Sequence, residues 1–290
     1  MSKPLLIPMP GNEKLAASLT TAADAEIGRI LVRRFPDDET YIRFETKIAG
    51  RTVTLLCTLA HPDDKFLPLL FAAATARELG AVRVGLVAPY LAYMRQDRRF
   101  KAGEAVTSNC FARILSDQFD WIVTVDPHLH RRASLGELFS VPTYVAHAAS
   151  QISDWVRHEI NAPLLIGPDS ESEQWVAAVA RGAEAPYVVL QKQRHSDREV
   201  QVTLPDLARW RARTPVLIVD IVSTGQTMIE TTCQLRRIGM PPPICIAVHG
   251  IFAGTAFDDL IAAGVARLVT TNTIPHPTNA IDITGPLATE

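Results

Sequence analysis

The chain has 290 residues, of which 47% are apolar, and a formal net charge of −2 at pH 7. That length is sufficient for two cores of ordinary domain size. Acidic and basic residues nearly balance, which excludes the strongly positive field of a typical nucleic-acid-binding protein. We therefore expect small-molecule partners and no nucleic acid.

The first residues and the cysteines predict where the protein works. The start "MSKPLLIPMP" is too short and too interrupted by proline for a secretory signal, and no run approaches the roughly 18 apolar residues of a membrane span. Four cysteines lie far apart in apolar runs and form no CxxC pair: Cys57, Cys110, Cys233 and Cys245. The cysteine pattern predicts reduced, buried thiols, without disulfides or structural zinc. Together with the missing signal and membrane span, it predicts a cytoplasmic protein with no membrane partner.

Apolar runs of strand length alternate with helical patterns along most of the chain. The candidate strands are, in chain order, "VTLLCTL" (53–59), "VRVGLVAPY" (82–90), "WIVTVD" (121–126), "PLLIGPD" (163–169), "YVVLQK" (187–192), "VLIVDIV" (216–222) and "ICIAVHGI" (244–251). Several are apolar at nearly every position, as parallel strands are when helices cover both faces. The alternation predicts an α/β fold whose mostly parallel sheets are flanked by helices.

Helical spacing of apolar residues predicts the helices between these strands. One stripe comprises Phe66, Leu69, Leu70 and Ala73, and a second comprises Phe111, Ile114 and Leu115 with the polar Gln118. Ser170 and Glu173 have the spacing of a capping box that opens a third helix. A break at "HAAS" (147–150) predicts two domains, 1–147 and 148–290, with the last residues as a candidate segment to pack back on the first domain.

In such folds ligands bind beyond the carboxyl ends of the strands, where this chain carries clustered polar residues. The segment "YLAYMRQDRRFKAGEAV" (90–106) places Arg95, Arg98, Arg99 and Lys101 directly after a strand. Guanidinium groups bind phosphate oxygens in a bidentate manner, and the nearby tyrosines would flank a base. The alternative is a solvated charged surface, which charge runs usually form.

The stretch "VLIVDIVSTGQTM" (216–228) ends a strand with Asp220 and a small polar loop made of Ser223, Thr224, Gly225, Gln226 and Thr227. Backbone N–H groups, hydroxyls and the positive end of a helix dipole would hold one phosphate there, and Asp220 would accept hydrogen bonds from sugar hydroxyls. An ordinary turn in which Ser and Thr cap the helix explains the same residues. The patterns GxxxxGK[ST] and GxGxxG are absent, so neither usual nucleotide-binding loop is supported.

Two further sets of polar residues suit phosphoryl transfer. His128 in "VDPHLHR" and Asp169 in "GPDSES" form a sparse donor set, which is enough for nucleotide-bound Mg²⁺ because the phosphates supply the other ligands. Lys192 and Arg194 lie in "QKQRHSDREV" (191–200), a predicted charged hairpin or loop. There they would stabilise charge on a transferring phosphoryl group. We interpret His130 as a residue that caps or packs at the strand end.

These motifs, in this order, resemble those of the ribose-phosphate diphosphokinases, also called phosphoribosyl-diphosphate (PRPP) synthetases. "RRFPDDETYIRF" resembles the family's RF-S-D-G-E segment, "PYLAYMRQDRRFKAGEAVTSNCFARIL" its PY-x-x-Y-x-RQDR segment, "VDPHLH" its metal-binding D-x-H, "GPD" its S-P-D, "QKQR" its catalytic-loop K-x-R and "VDIVSTGQT" its phosphoribose motif. The resemblance covers nearly the whole chain. It implies two phosphoribosyltransferase-like domains and transfer of the diphosphoryl group of Mg-ATP to the C1 hydroxyl of ribose 5-phosphate, giving PRPP and AMP.

The resemblance also implies a role for each matching residue. The ATP-binding residues would be Phe35, Asp37, Glu39, Arg95 and Gln96, the first three supplied by a neighbouring subunit of a homo-oligomer built from dimers, with a hexamer as the larger form. His128 and Asp169 would belong to the Mg²⁺ sites, and Lys192 and Arg194 would be catalytic. Asp220 would hold the ribose, and the loop from Ser223 to Thr227 would hold its 5-phosphate.

The sequence departs from the family pattern at several positions. Val219 and Ser223 replace two acids of the phosphoribose motif, Gln226 changes its A-G-T ending, and Asp38 stands where glycine is common. Each lost charged hydrogen bond would weaken ribose binding by roughly 1.5–3 kcal/mol. Two alternatives therefore stay open: a non-catalytic regulatory or assembly member of the family, and a phosphoribosyltransferase that consumes PRPP.

Overall fold

The computed structural model describes residues 3–129, 131–169, 172–194, 200–203 and 207–290. The chain forms two compact units. The first comprises Met1–His147, Thr273–Pro275 and Thr284–Glu290, and the second comprises Ala148–Asn272 and His276–Ile283. Each unit is built on a six-stranded sheet whose paired strands are all parallel.

The first unit contains a parallel sheet and an antiparallel hairpin. Its strands are β1 (Leu5–Pro8), β2 (Glu26–Ile27), β3 (Ile30–Arg34), β4 (Thr40–Phe44), β5 (Thr52–Leu56), β6 (Arg83–Ala88), β7 (Trp121–Val125) and β8 (Thr143–Ala146). The order in the sheet is β2-β1-β5-β6-β7-β8, and β3 pairs only with β4 among the described residues. Three helices connect these strands: α1 (Glu13–Ala22), α2 (Asp63–Glu78) and α3 (Thr107–Gln118).

The second unit repeats this plan. Its strands are β9 (Pro163–Gly167), β10 (Tyr187–Val189), β11 (Gln191–Arg194), β12 (Val200–Thr203), β13 (Thr214–Val222), β14 (Ile244–Gly250), β15 (Arg267–Thr271) and β16 (Asn279–Ile281). The sheet order is β10-β9-β13-β14-β15-β16, and β11 and β12 form a hairpin. Its helices are α4 (Ala149–Glu159), α5 (Glu173–Gly182), α6 (Gln226–Arg237) and α7 (Ala256–Ala263). A last helix, α8 (Thr284–Thr289), contacts α1 and belongs to the first unit.

The predicted α/β fold with mostly parallel sheets is confirmed. Every predicted strand is present, although the segment at 187–192 is divided between β10 and β11 at the buried Leu190. Both helices predicted from apolar stripes form, as α2 and α3. Ser170 of the predicted capping box lies outside the described residues. α5 begins at Glu173, with Ser172 as its N-cap residue.

The prediction of four buried thiols is wrong in part. Cys57 and Cys245 are buried, and burial raises the pKa of each thiol to about 12. Cys110 is exposed and Cys233 is half-buried, because each lies on a helix position that turns away from the fully buried face. All four are free thiols. Among the described residues, no helix combines the length and the apolar character that crossing a bilayer requires.

Candidate active site

The loop after β13 carries the residues predicted to bind ribose 5-phosphate. α6 begins at Gln226 with Gly225 as its N-cap residue, and Gly225 has a φ of +70°, in the left-handed region. Because glycine has no side chain, this N-cap provides no side-chain hydrogen bond to the helix. The alternative in which Ser223 or Thr224 is the N-cap of an ordinary turn is therefore wrong. The positive end of the α6 dipole lies beside the small polar residues of the loop.

Neighbouring backbone holds this loop in one conformation. The N–H groups of residues 251–253 donate to the carbonyl oxygens of Val222 and Ser223 over 2.9 to 3.1 Å. The side chain of Leu260, on α7, packs against Gly225 so closely that a Cβ atom there would lie 3.1 Å from Leu260 Cδ1. The loop is therefore preformed, which lowers the entropic cost of binding an anion.

Replacing Gly225 with alanine is expected to lower the free energy of unfolding by more than the roughly 1–2 kcal/mol that a left-handed residue costs. The excess arises because the new Cβ also crowds Leu260. Gly239→Ala is the matched control, since Gly239 has a φ of +76° with no atom within 4 Å of the added Cβ. Urea denaturation of both variants measures the difference. Equal losses would show that the Leu260 contact does not constrain the loop.

The other candidates of the second unit follow strands next to β13. β10, β9 and β13 are adjacent and parallel, so their carboxyl ends meet at one edge of the sheet. Asp169 lies just beyond β9, Asp220 lies near the end of β13, and β11, which contains Lys192 and Arg194, begins just beyond β10. β11 pairs antiparallel with β12, which confirms the predicted hairpin; its residues 195–199 lie outside the described part of the chain.

Both carboxylates at this edge are oriented by backbone N–H groups. Asp169 Oδ1 accepts a hydrogen bond from the Ser172 N–H at 3.1 Å, and the Ser172 hydroxyl donates to the Asp169 carbonyl at 2.6 Å. Asp220 Oδ1 accepts from the N–H of Ile221 at 2.7 Å. Both residues are half-buried. These contacts fix the direction in which each carboxylate points, and a carboxylate can accept further hydrogen bonds from sugar hydroxyls or bind a cation.

In the first unit, the loop between β6 and α3 carries Arg95 and Gln96. Arg95 is exposed, and Gln96 Oε1 accepts a hydrogen bond from the Thr107 hydroxyl at 3.0 Å. Arg131 donates to both carboxylate oxygens of Asp97, at 2.9 and 3.1 Å, and the Asp97 side chain is only 7% exposed. This ion pair joins the loop after β6 to the loop after β7.

The tyrosines of this loop are engaged within the protein. Tyr90 is buried, so the prediction that it flanks a base is wrong. The Tyr93 ring packs on Phe111 with ring centroids 4.9 Å apart, and its hydroxyl donates to Asp63, which raises the pKa of Tyr93 to about 12.

The later cations of this loop interact with the loop itself. The Arg98 guanidinium lies 4.7 Å from the centre of the Phe100 ring, and Arg99 Nε donates to the Glu104 carbonyl at 3.0 Å. The Glu104 carboxylate in turn accepts the N–H groups of Phe100 and Lys101 at 2.8 and 2.9 Å. The charged-surface alternative therefore describes these residues better than a phosphate site does.

His128 follows β7, next to a strained acid. Asp126, the first residue after this strand, has a φ of +32°, which is uncommon for a residue with a side chain. Its Oδ1 lies 2.8 Å from Nδ1 of His147, and its N–H donates to the Ala146 carbonyl at 3.1 Å. β6 and β7 are adjacent and parallel, so His128 lies at the same sheet edge as Arg95 and Gln96. Strained backbone of this kind is frequent at functional sites.

The Asp126 contact is expected to make His147 more basic than an ordinary histidine. The hydrogen bond to the carboxylate raises the pKa of His147 above 6.5. The stability that this pair contributes is therefore complete below pH 6.5 and is lost as the pH rises through the folded-state pKa. An NMR titration of the imidazole protons should show this pKa fall towards 6.5 in Asp126→Asn. His276, whose pKa is lowered by burial, is the internal control and should not change.

The turn of the β3–β4 hairpin carries the other predicted ATP-binding residues. Phe35, Asp37 and Glu39 are all exposed. The Phe35 N–H donates to the Glu39 carbonyl at 2.8 Å, and the Phe35 ring lies edge-on to Tyr41 with centroids 5.8 Å apart. The Arg33 guanidinium lies over both rings, at 4.6 and 4.2 Å from their centres. The hairpin therefore presents an ordered aromatic ring and two carboxylates to solvent.

The donor atoms suit a cation that is held mainly by its nucleotide. In the described part of the chain, no group of three or more His, Cys, Asp and Glu side chains is placed to hold a metal ion. Nucleotide-bound Mg²⁺ needs only one or two protein ligands and prefers oxygen. The Asp169 carboxylate fits such a role directly. The His128 imidazole fits better through a bound water, since Mg²⁺ seldom takes nitrogen ligands.

Comparison with known proteins identifies the family. Residues 5–118 match the N-terminal domain of ribose phosphate pyrophosphokinase, and residues 134–272 match the phosphoribosyl transferase domain. The chain is 32% identical to the ribose-phosphate pyrophosphokinase of Sulfolobus acidocaldarius over 93% of this chain and 95% of that protein. It is 33% identical to the ribose-phosphate pyrophosphokinase of Methanopyrus kandleri over 95% of this chain and 94% of that protein. The chain belongs to the ribose-phosphate pyrophosphokinase family. The resemblance inferred from the motifs is therefore confirmed.

A solved structure gives the same fold for this pyrophosphokinase family member. The phosphoribosylpyrophosphate synthetase of Mycobacterium smegmatis superposes with a TM-score of 0.83 and 22% identity, covering 99% of this chain and 97% of that one. At this identity the similarity shows the fold alone. It covers both units, so the predicted pair of phosphoribosyltransferase-like domains is confirmed.

Two departures from the pyrophosphokinase motifs have structural explanations. Val219 packs against the apolar core of the second unit and lies opposite Ala247 in the sheet, where an apolar side chain suits the surroundings. Asp38 has a φ of +68°, where glycine is unstrained and Asp is among the better-tolerated residues. The structure gives no comparable explanation for Ser223, which is half-buried in the loop.

Sequence reasoning missed the pairs that position the candidate residues. Asp97 binds Arg131, and Asp126 binds His147. The partners are 34 and 21 residues apart in the chain, so no local spacing indicates the pairing. The one available signal was that each acid directly follows or lies near a predicted strand end, where the loops of adjacent parallel strands meet.

Proposed function

We propose that the chain is an active ribose-phosphate pyrophosphokinase, which transfers the diphosphoryl group of Mg-ATP to the C1 hydroxyl of ribose 5-phosphate and releases AMP. The family membership supports this activity. The observation that carries it is the preformed loop at the N-terminus of α6, where Gly225 replaces a capping side chain and Asp220 lies nearby. A phosphate bound at the helix N-terminus and a ribose held by the carboxylate use these two features together.

The bond changes define what the side chains must do. The C1 hydroxyl oxygen bonds to the β-phosphorus of ATP, the bond from that phosphorus to the α,β-bridging oxygen breaks, and AMP leaves with that oxygen. The hydroxyl proton passes to solvent. Phosphoryl transfer of this kind requires positioning and charge stabilisation more than covalent catalysis. Side chains that supply positive charge to the transferring group therefore determine the rate.

Each set of residues has one role in this proposal. ATP is bound by Arg95 and Gln96 of one subunit together with Phe35, Asp37 and Glu39 of a neighbouring subunit. Because two subunits form the site, the protein is a homo-oligomer. Lys192 and Arg194 stabilise the diphosphoryl group during transfer. Asp220 orients the ribose, and the loop from Ser223 to Thr227 binds the 5-phosphate. Mg²⁺, held by Asp169 directly and by His128 through water, would neutralise phosphate charge when bound.

The exposed Phe35 ring suits adenine recognition. A nucleobase stacks on an aromatic face, and Phe35 keeps 39% of its surface exposed at the turn of the hairpin. Asp37 and Glu39 flank it and carry acceptors for an exocyclic amino group. Their exposure is consistent with a site that a second subunit completes.

An assay of nucleotide products tests the proposal. Incubation with Mg-ATP and ribose 5-phosphate should give AMP, whereas transfer of one phosphoryl group would give ADP. Ribose without its 5-phosphate is the matched control and should give little AMP, because the α6 loop then has no anion to bind. ADP as the only new nucleotide would contradict the proposal. A folded chain that binds ATP and forms neither product would favour the non-catalytic alternative, for which Ser223 is the supporting departure.

A further inference from the structure

The first unit contains a cavity that the proposed reaction does not use. It has a volume of about 220 Å³ and lies between the β3–β4 hairpin, α2 and the carboxyl ends of β1 and β5. Its lining residues are Met9, Pro10, Val32, Arg33, Arg34, Thr40, Cys57, Asp64, Lys65 and Pro68. β1 and β5 are adjacent parallel strands, and the edge beyond their carboxyl ends is where sheets of this type bind ligands.

The floor of the cavity is rigid. Asn12 is buried, and its Nδ2 donates to the carbonyl oxygens of Met9 and Pro10 at 3.0 and 3.3 Å. Its Oδ1 accepts the N–H of Thr58 at 2.9 Å. One side chain therefore joins the segment after β1 to the segment after β5. A cavity with such a floor is already formed before any ligand arrives, which favours binding.

The charges along the wall are mostly positive. Arg33, Arg34 and Lys65 line the cavity, and Asp64 is the one carboxylate among the lining residues. A guanidinium nitrogen of Arg34 lies 3.5 Å from a carboxylate oxygen of Asp64, so the charges of these two residues largely cancel. Arg33 contacts aromatic rings and has no ion pair among the described residues. The excess positive charge therefore comes from Arg33 and Lys65.

Lys65 is the most deeply placed of these cations. It is half-buried, and burial lowers its pKa. Its ammonium group donates a hydrogen bond to the Thr58 carbonyl at 2.9 Å. Asp64 attracts it only from beyond ion-pair distance, and burial is the larger effect on its pKa. An ammonium group has three N–H donors, and an incoming anion would supply the missing negative charge. The neighbouring wall is apolar, with Met9, Val32 and Cys57.

We propose that this cavity binds a small organic anion, a carboxylate or a phosphate monoester with an apolar body, whose head group contacts Lys65. The volume is below the roughly 300–1,000 Å³ of pockets for drug-sized ligands, so the ligand has few carbon atoms. The proposal is independent of the transfer reaction, since none of the lining residues belongs to the groups that bind ATP or ribose 5-phosphate. The ligand would join the hairpin to α2 and so hold the turn that carries Phe35.

Fluorine NMR of small probes with the full chain tests this site. The probes are 4-fluorobenzoate and 4-fluorophenyl phosphate, with the neutral 4-fluorobenzyl alcohol as control. We expect at least one anion to bind, and Lys65→Met to weaken that binding by about tenfold or more because it removes a charged hydrogen bond. Lys47→Met, which removes an exposed lysine elsewhere in the same unit, should leave binding unchanged. Binding of one anion only would identify its class.

A second variant keeps the test valid if Lys65→Met is poorly folded. Arg34→Gln changes an exposed hairpin residue. It should also weaken binding of the anion, but by less than Lys65→Met does. Bound anion should slow hydrogen exchange of the amides in β3 and β4, measured by mass spectrometry. The proposal is overturned if neither anion binds, if the neutral alcohol binds equally well, or if binding is the same in both variants as in the original chain.

Discussion

Replacing Lys192 with alanine is expected to lower kcat by about 10²–10³-fold, the effect of removing one donor that stabilises charge in a transition state. The affinity for ATP should change little, because in the proposed mechanism the Lys192 charge acts on the group in transfer and not on bound ATP. Initial rates of AMP formation at varied ATP give kcat, and equilibrium titration with a non-hydrolysable ATP analogue gives the affinity.

Lys101→Ala is the matched control for this variant. Lys101 is an exposed lysine in the loop after β6, where its N–H is bound by the Glu104 carboxylate, and its ammonium has no assigned role in the reaction. Its variant should keep nearly full activity. A loss of ATP affinity in Lys192→Ala that matches its loss of kcat would assign Lys192 to ground-state binding instead.

Asp220→Asn is expected to raise the KM for ribose 5-phosphate far more than the KM for ATP. A carboxylate that accepts hydrogen bonds from sugar hydroxyls contributes roughly 1.5–3 kcal/mol, so the increase should be about 10- to 150-fold. The variant is nearly isosteric, and Asp220 is only half-buried, so folding should be preserved. Initial rates over a matrix of both substrate concentrations give the two KM values.

Asp258→Asn, at an exposed position on α7 of the same unit, is the control for the change in charge. It should leave both KM values unaltered. Equal increases in the two KM values of Asp220→Asn would mean that the loop after β13 does not bind the sugar. The proposed roles of Gly225 and its neighbours would then have to be reassigned.

The buried strands could be predicted because their apolar runs are long and nearly continuous. β13 and β14 are of this kind, and the predicted positions of Asp220 and its loop follow directly from where β13 ends. The first strand was missed because "LLIP" is short and lies between prolines. The hairpin strands β3 and β4 were missed because no position in them is fully buried and their apolar runs are at most three residues long.

The local chemistry of the candidate site was less predictable than the fold. The sequence indicates a polar loop at residues 223–227 but does not distinguish a phosphate site from a turn in which Ser or Thr caps the helix. The structure excludes the second, because the N-cap residue is Gly225, which has no side chain. The burial of Tyr90 depends on how the loop after β6 packs, which no local pattern encodes. The same is true of the Arg131–Asp97 pair, which is formed by residues from different loops.

Within each unit, the parallel sheet explains how motifs that are distant in the sequence come to lie at one edge. Each motif follows a strand, and adjacent parallel strands deliver their following residues to one edge. In the first unit this edge carries Arg95, Gln96 and His128, and in the second it carries Asp169, Lys192, Arg194 and the loop after β13. The order of motifs in the sequence is therefore a consequence of the order of strands.

The most direct test of the central claim is phosphorus NMR of the products formed from Mg-ATP, with and without ribose 5-phosphate. The account predicts AMP only when the sugar phosphate is present, together with two coupled phosphorus signals from a diphosphate on C1 and the unchanged signal of the 5-phosphate. AMP that forms equally without the sugar, or a sugar that gains a single phosphoryl group, would contradict diphosphoryl transfer.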